Sequence, residues 1–383
     1  MYAESWTKGS QWDAHLWACD EFGQANLGDA RRTRRLVQIA SQTADHPAGR
    51  VTQVFSQDNQ RQGAYGFLEN DAIEADQLSA SAHLACARRC ASHPLVFIAV
   101  DPSSLTLTDL DRHKGTGPIE TDRTTARGFQ VMSAITVSPQ GTPLGLCGQK
   151  FWARSEHRVK LRRKQRPFEQ KETHYFLDVV KQTEQAFEQA GIGCKRWYQF
   201  DAGGDSGDLL AEAVQSNRLL TVRAAQNRCL QGSPYKYLWQ HLEQQPMWGV
   251  YSFQVPQRPI HKERTAVMSL QAGRVTLSLP KKSCKSVEVY AVLVREVGTT
   301  PKEETPLEWL LLTTYRVRDF EDACLVLFGY AQRWRVEEFH RTWKQGACRV
   351  EDNQLRSASS ICAYSGHHDH LDRRIVITQI GAS

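Results

Sequence analysis

The sequence contains no apolar run near the ~18–20 residues needed to cross a bilayer; its longest clean runs are 95–100 and 323–328. A membrane-spanning chain is therefore not expected. Its first seventeen residues carry no apolar core behind a basic end, so secretion is not expected either. Ten cysteines are present without a CxxC pair, and the closest spacing is Cys86 to Cys90. A structural zinc site needs tight ligand pairs, and a disulfide framework needs a small secreted chain. The expectation is free thiols packed inside a cytoplasmic protein. There is also no internal repeat and no low-complexity segment.

What is present is an ordinary folding composition. The chain has 383 residues, 40% apolar and 23% charged, enough for two or three structural units with a core of their own. The formal charge of +6 is unevenly placed. Residues 150–175 hold Lys150, Arg154, Arg158, Lys160, Arg162, Arg163, Lys164, Arg166 and Lys171 against three glutamates, which accounts for the whole surplus. A second knot is Arg31, Arg32, Arg34 and Arg35. Such patches attract polyanions, nucleic acid first among them, although a single patch is as well explained by a solvated face.

Residues 1–75 read as short helices. Asp29 can cap a helix over 30–43 whose inner side carries Leu36, Ile39, Ala40 and Thr43, and a further helix is expected over 59–70. From about residue 76 the texture changes. A helix over 79–91 precedes the continuous apolar run 95–100, a strand buried on both faces that ends at Asp101. Segments 128–138 and 141–153 read as a hairpin about Pro139-Gln140-Gly141. A helix over 171–190 stops at Gly191, and a second buried strand ends at Asp201 before a helix over 207–216. Residues 219–300 are β-rich. A last strand at 308–314 leads to one long helix from about 319 to 345.

Two aspartates at strand ends lie where a sheet presents catalytic groups. The long helix adds a third acid. At ~100° per residue from Tyr330, Arg333 falls near ~300°, Glu337 near ~340° and Lys344 near ~320°, one stripe of ~60°. Val336, Phe339 and Trp343 form the opposite, packing face, and Glu338 lies ~100° off the stripe. Paired carboxylates suit hard divalent cations, and two such cations can clamp the attacking and leaving oxygens of a phosphoryl transfer. Each of these acids taken alone is as well read as a cap or a surface charge.

The segment 330–344, YAQRWRVEEFHRTWK, resembles the Tyr-x2-Arg-x3-Glu-x6-Lys signature of bacterial cut-and-paste DDE transposases of the insertion-sequence-four group. Segments 27–40 and 62–70 resemble that group's N-terminal DNA-binding domain. Segments 97–105, 127–135, 200–205 and 304–313 resemble the strands of its catalytic domain, in order. The resemblance implies an α/β, RNase H-like catalytic core over 76–364 with a β-rich insertion at about 219–300. A small helical DNA-binding domain over 1–75 would precede it.

The resemblance also implies roles. Asp101, Asp201 and Glu337 would bind two Mg²⁺ ions, for which Mn²⁺ can substitute. Tyr330, Arg333 and Lys344 would hold the DNA backbone, and Trp309 would receive a flipped base, where the plain reading is a core tryptophan. Arg31, Arg32, Arg34 and Arg35 would include the phosphate contacts at the transposon end. The partners implied are double-stranded DNA at inverted ends, target DNA and a second copy in a paired-end complex. The activity implied is metal-dependent cleavage and strand transfer.

Two departures stand out. Ala202-Gly203-Gly204 follows Asp201 where relatives carry an Arg-Glu pair, while Asp205 keeps its place. Residues 365–383, with His367, His368, Asp369 and His370, match nothing in the family's continuation into a dimerisation domain, as a frameshift near codon 364 or a truncation would produce. The histidine cluster, without a second ligand group at suitable spacing, is a weak metal site. The alternative activity is accordingly an incompetent chain that binds transposon ends and inhibits. A third reading, an unrelated metal-dependent nuclease, shares the acids but explains neither the N-terminal segments nor Trp309.

Overall fold

The computed structural model describes residues 13–109, 111–119, 126–156, 166–255, 263–279, 284–298, 300–301 and 304–368. Arg158, Lys160, Arg162, Arg163 and Lys164 of the basic stretch lie outside the described residues, as do Asp369 and His370.

Five helices come first: α1 (Ala14–Phe22), α2 (Ala30–Asp45), α3 (Val51–Val54), α4 (Asp58–Leu68) and α5 (Ala75–Arg89). Asp29 caps α2, its carboxylate accepting the Arg31 N–H at 2.8 Å. Leu36, Ile39, Ala40 and Thr43 are buried along its inner side. The strands that follow are β1 (Leu95–Leu107), β2 (Gly117–Pro118), β3 (Arg127–Val137) and β4 (Pro143–Trp152). Helix α6 (His174–Gln189), strand β5 (Lys195–Phe200), helix α7 (Gly207–Gln215) and strand β6 (Leu219–Arg223) come next. Gly191, at φ +67°, provides the left-handed turn that releases the chain from α6.

Beyond β6 come β7 (Leu230–Gln231), α8 (Leu238–Glu243), β8 (Gly249–Val255), β9 (Arg264–Ser278), β10 (Ser286–Val297) and β11 (Glu308–Thr313). The described chain closes with α9 (Phe320–Ala331), α10 (Trp334–Gln345) and α11 (Ala358–His368).

All eleven strands belong to one sheet in the order β2-β3-β1-β5-β6-β11-β10-β9-β7, with β4 on β3 and β8 on β9. The β1–β5 and β5–β6 ladders are parallel and the others antiparallel. Alternate residues of β1 enter different cores. Phe97 and Ala99 pack with α9, α10 and the N-terminal helices, while Val96, Ile98 and Val100 pack with α6 and α7. That two-sided burial is why the run 95–100 is apolar throughout. Gly329 lets α9 lie against the sheet, since a Cβ there would meet the Phe97 ring at 2.6 Å.

Four sequence expectations change. First, Asp101 does not end its strand: β1 continues to Leu107, because β3 pairs with it as far as Leu107↔Arg127. Only the parallel ladder stops there, its last pair being Val100↔Phe200. Second, residues 219–223 are not part of a separate β-rich unit; β6 pairs with β5 and β11 inside the central sheet. Third, the helix over 319–345 is two helices. Gln332, Arg333, Arg335 and Val336 each donate to the carbonyl three residues back, a tightened 3₁₀ turn, and the Gln332 side chain bonds the Phe328 carbonyl that its own N–H shares. Fourth, not all ten thiols are interior, since Cys19 and Cys229 are exposed. Among the described residues no helix is long and apolar enough to cross a membrane.

Candidate active site

Because Val100 and Phe200 are the last pair of a parallel ladder, the residues after them, Asp101 within β1 and Asp201 just past β5, follow the end of that ladder on neighbouring strands. Asp201 starts a 3₁₀ turn over Ala202–Gly204 and accepts the Gly203 N–H at 3.0 Å. The far end of that turn is pinned by Asp205. Its buried carboxylate accepts the Ala225 N–H at 2.8 Å and the Arg228 Nε–H at 3.1 Å. The Ala-Gly-Gly departure from the family pattern thus leaves the turn itself anchored.

Glu337 arrives from the first turn of α10. Between it and Asp101 lies Arg333, whose Nη1 donates to Asp101 Oδ1 at 2.9 Å and whose Nη2 donates to Glu337 Oε1 at 2.6 Å. The guanidinium is buried, its side chain 10% exposed. Burial pushes the Asp101 carboxyl up to about 7 against the pull of Arg333, and the charges of Asp201 and Glu337 push in the same direction as burial. The three acids share one electrostatic neighbourhood.

Tyr330 is buried rather than on an open stripe, because the tightened turn breaks the 100° stepping that placed it there. Burial raises its phenol, while the charges of Arg333 and Arg223 pull the other way. Its ring meets the edge of Trp309 at 6.2 Å. Trp309 is half-buried on β11, opposite Val294. Lys344 pairs with a different acid: its Nζ lies 3.7 Å from Glu351, which also accepts the Thr106 N–H at 2.8 Å on the extension of β1. Glu351, Arg223 and Arg228, the partner of Asp205, were not singled out in the sequence. Each is an isolated charge in a loop or at a strand end, with no periodicity to mark it.

The four N-terminal arginines divide. Arg32 donates to the Leu27 carbonyl at 3.0 Å and Arg35 to Gln38 at 3.3 Å, with the Arg35 guanidinium closing over Gly63. Arg31 and Arg34 are exposed. Arg31 pairs with Asp29 at 2.8 Å, which holds the Asp29 carboxyl down at about 2.

Among the described residues, no group of three His, Cys, Asp or Glu side chains is gathered closely enough to hold a metal ion. The donor chemistry nevertheless suits a hard cation. The three carboxylates offer oxygen ligands, their mutual repulsion favours any positive charge placed among them, and a guanidinium already serves two of them. Of the His367–His370 cluster, only the backbone of the first two residues, at the end of α11, lies among the described residues.

Compared with known protein families, residues 14–73 match the transposase DNA-binding domain. The matched segment spans α1 to α4 and includes all four arginines. The match supports DNA as a partner of this chain and supports a transposase.

Proposed function

We propose that this chain is a DDE transposase of the insertion-sequence-four type, cutting and rejoining DNA at the ends of its element. One observation carries the reading: Arg333 bridges Asp101 and Glu337, far apart in sequence, and Asp201 follows the strand paired in parallel with that of Asp101. This arrangement stands in a chain whose first helices match a transposase DNA-binding domain. The order β4-β3-β1-β5-β6, antiparallel then parallel with helices on both faces, supports an RNase H-like core. Strands β7 to β10 extend that sheet as the family's insertion would.

In this reading Asp101, Asp201 and Glu337 hold two Mg²⁺ ions. When bound, the ions activate water and neutralise charge in phosphoryl transfer. The remaining work is positioning and charge compensation, since this chemistry asks little covalent work of side chains. Arg333 and Lys344 hold non-bridging oxygens of the DNA backbone, Tyr330 supports that strand, and Trp309 stacks a base turned out of the duplex. The cut frees a 3′-hydroxyl, which attacks the opposite strand to form a hairpin. After the hairpin reopens, the same hydroxyl joins target DNA. Arg31 and Arg34 read the phosphates of the inverted end, and a second copy of the chain completes a paired-end complex.

The test uses a duplex carrying the inverted ends that flank the gene, with binding followed in Ca²⁺ and strand cleavage in Mg²⁺. The wild type should bind and cleave, and Glu337→Ala should bind as well but not cleave. Equal loss of binding and cleavage in Glu337→Ala would overturn the site assignment. Binding without cleavage by the wild type would reduce the chain to a reader of DNA ends.

A further inference from the structure

We infer that Arg333 is a placeholder cation that keeps the acidic site closed to divalent metal until a DNA phosphate draws its guanidinium away. The inference rests on the reading of Asp101 and Glu337 as metal ligands and adds a condition on when they become available.

The guanidinium and a metal ion compete for the same carboxylate oxygens. Arg333 donates to Asp101 Oδ1 at 2.9 Å and to Glu337 Oε1 at 2.6 Å. A Mg²⁺-sized ion binds carboxylate oxygen at roughly 2.0–2.1 Å and tolerates little distortion of its shell. The oxygens bonded to the guanidinium cannot also ligate such an ion, so the full donor set of Asp101 and Glu337 opens to a metal only when the guanidinium leaves.

Arg333 is also built to leave. Its Nε–H is buried and has no hydrogen-bond partner, so the fork is only partly satisfied in this position. A phosphate can take two parallel N–H bonds from a guanidinium, more than this seat supplies to any one partner. The residue lies at the junction of α9 and α10, where the backbone bonds run three residues back and the helix is already interrupted. Its guanidinium carbon is 5.4 Å from the centre of the Trp334 ring, and Trp334 is 45% exposed. That ring offers a surface along which the guanidinium can swing outward without losing all stabilisation.

The consequence is an ordered sequence. DNA binds first, Arg333 moves to its backbone, the three carboxylates are left repelling one another, and divalent metal binds to them. A chain searching for its ends would then carry no loaded nuclease.

The experiment is Mn²⁺ binding, read as loss of the free-ion signal in electron paramagnetic resonance. It compares the wild type alone, the wild type with an end duplex, Arg333→Gln and Asp101→Asn, with the duplex alone subtracted. Arg333→Gln should bind Mn²⁺ on the order of tenfold or more tightly than the free wild type, with no need for DNA. The wild type should reach comparable affinity only with the duplex. If Arg333→Gln binds no more tightly, or if the wild type binds equally well with and without DNA, the placeholder role is wrong. The wild-type arm decides the matter even if Arg333→Gln fails to fold. The double variant Asp101→Asn with Arg333→Gln separates the two claims: retained tight Mn²⁺ binding there would overturn the ligand reading itself.

Discussion

Tyr364 donates its hydroxyl to the carbonyl of Ala48 at 2.9 Å, joining residues 316 positions apart. Tyr364 is fully buried on α11, and Ala48 lies in the turn after α2, inside the segment that matches the transposase DNA-binding domain. One residue further on, the Ser365 carbonyl accepts the Trp343 indole N–H at 3.2 Å. Helix α11 therefore grips both the N-terminal helices and α10, which carries Glu337. Tyr364→Phe keeps the ring and removes the bond, so it should cost about 1 kcal/mol of stability. The loss should appear as faster amide exchange over residues 14–73 ahead of the sheet. Uniform acceleration over the whole chain would mean that the bond does not tie this region specifically.

Two buried histidines set the acid limit. Burial lowers the imidazoles of His83 and His340 to about 3, and Lys344 adds to the effect at His340. In the unfolded chain they titrate near 6.5, so between 6.5 and 3 the unfolded state binds more protons. Stability from these groups is complete above pH 6.5 and falls continuously as pH drops toward 3. Each contributes a loss of about 5 kcal/mol at most over that window. Denaturant unfolding at pH 8 and pH 5 should show the wild type weaker at pH 5. His340→Leu should shrink the difference; an unchanged pH dependence would show that His340 is not the titrating group.

How much of this was legible in the sequence depends on the range of the interaction. The Asp29 cap, the turn at 139–141 and the Gly191 stop need only neighbours in the chain, and each stands where the sequence places it. The double-sided strand at 95–100 was legible because burial on both faces leaves an unbroken apolar run. The interruption at Gln332 and Arg333 was not, since no proline or glycine stands at it, and the contact it accompanies is with a carboxylate 232 residues away. Helical arithmetic singled out Glu337 over Glu338 as the working carboxylate, and Arg333 meets Glu337 while Glu338 pairs with Arg335; the same arithmetic put Tyr330 on that stripe, and Tyr330 is buried. The extension of β1 beyond Asp101 was hidden for a similar reason, being fixed by β3.

The four N-terminal arginines should separate by experiment as they do by geometry. Arg31 and Arg34 are exposed, whereas Arg32 holds the Leu27 carbonyl. Replacing Arg34 by Ala should weaken DNA binding and, for one lost phosphate contact, reduce the slope of log affinity against log salt by about 0.9. Its melting temperature should stay within error of the wild type. Arg32→Ala should do the reverse, destabilising by about 1 kcal/mol through the orphaned carbonyl while leaving the salt slope alone. If Arg34→Ala leaves both affinity and slope unchanged, that face of α2 does not meet DNA.

Glu351 is expected to restrain the DNA affinity of this chain. Its carboxylate lies 3.7 Å from the Lys344 ammonium and accepts the Thr106 N–H at 2.8 Å, so a phosphate reaching Lys344 must compete with it. Glu351→Gln keeps an acceptor for Thr106 and removes the competing charge. Binding of an end duplex in Ca²⁺ should tighten by about two- to fivefold, within the ~1 kcal/mol that a partly exposed pair contributes. Lys344→Ala should weaken binding, and in that background Glu351→Gln should have little further effect. The double-mutant cycle is decisive because the two residues are in direct contact. A gain from Glu351→Gln that survives the loss of Lys344 would assign the effect to general repulsion between Glu351 and DNA. No gain at all would leave Glu351 as the clasp of β1 alone.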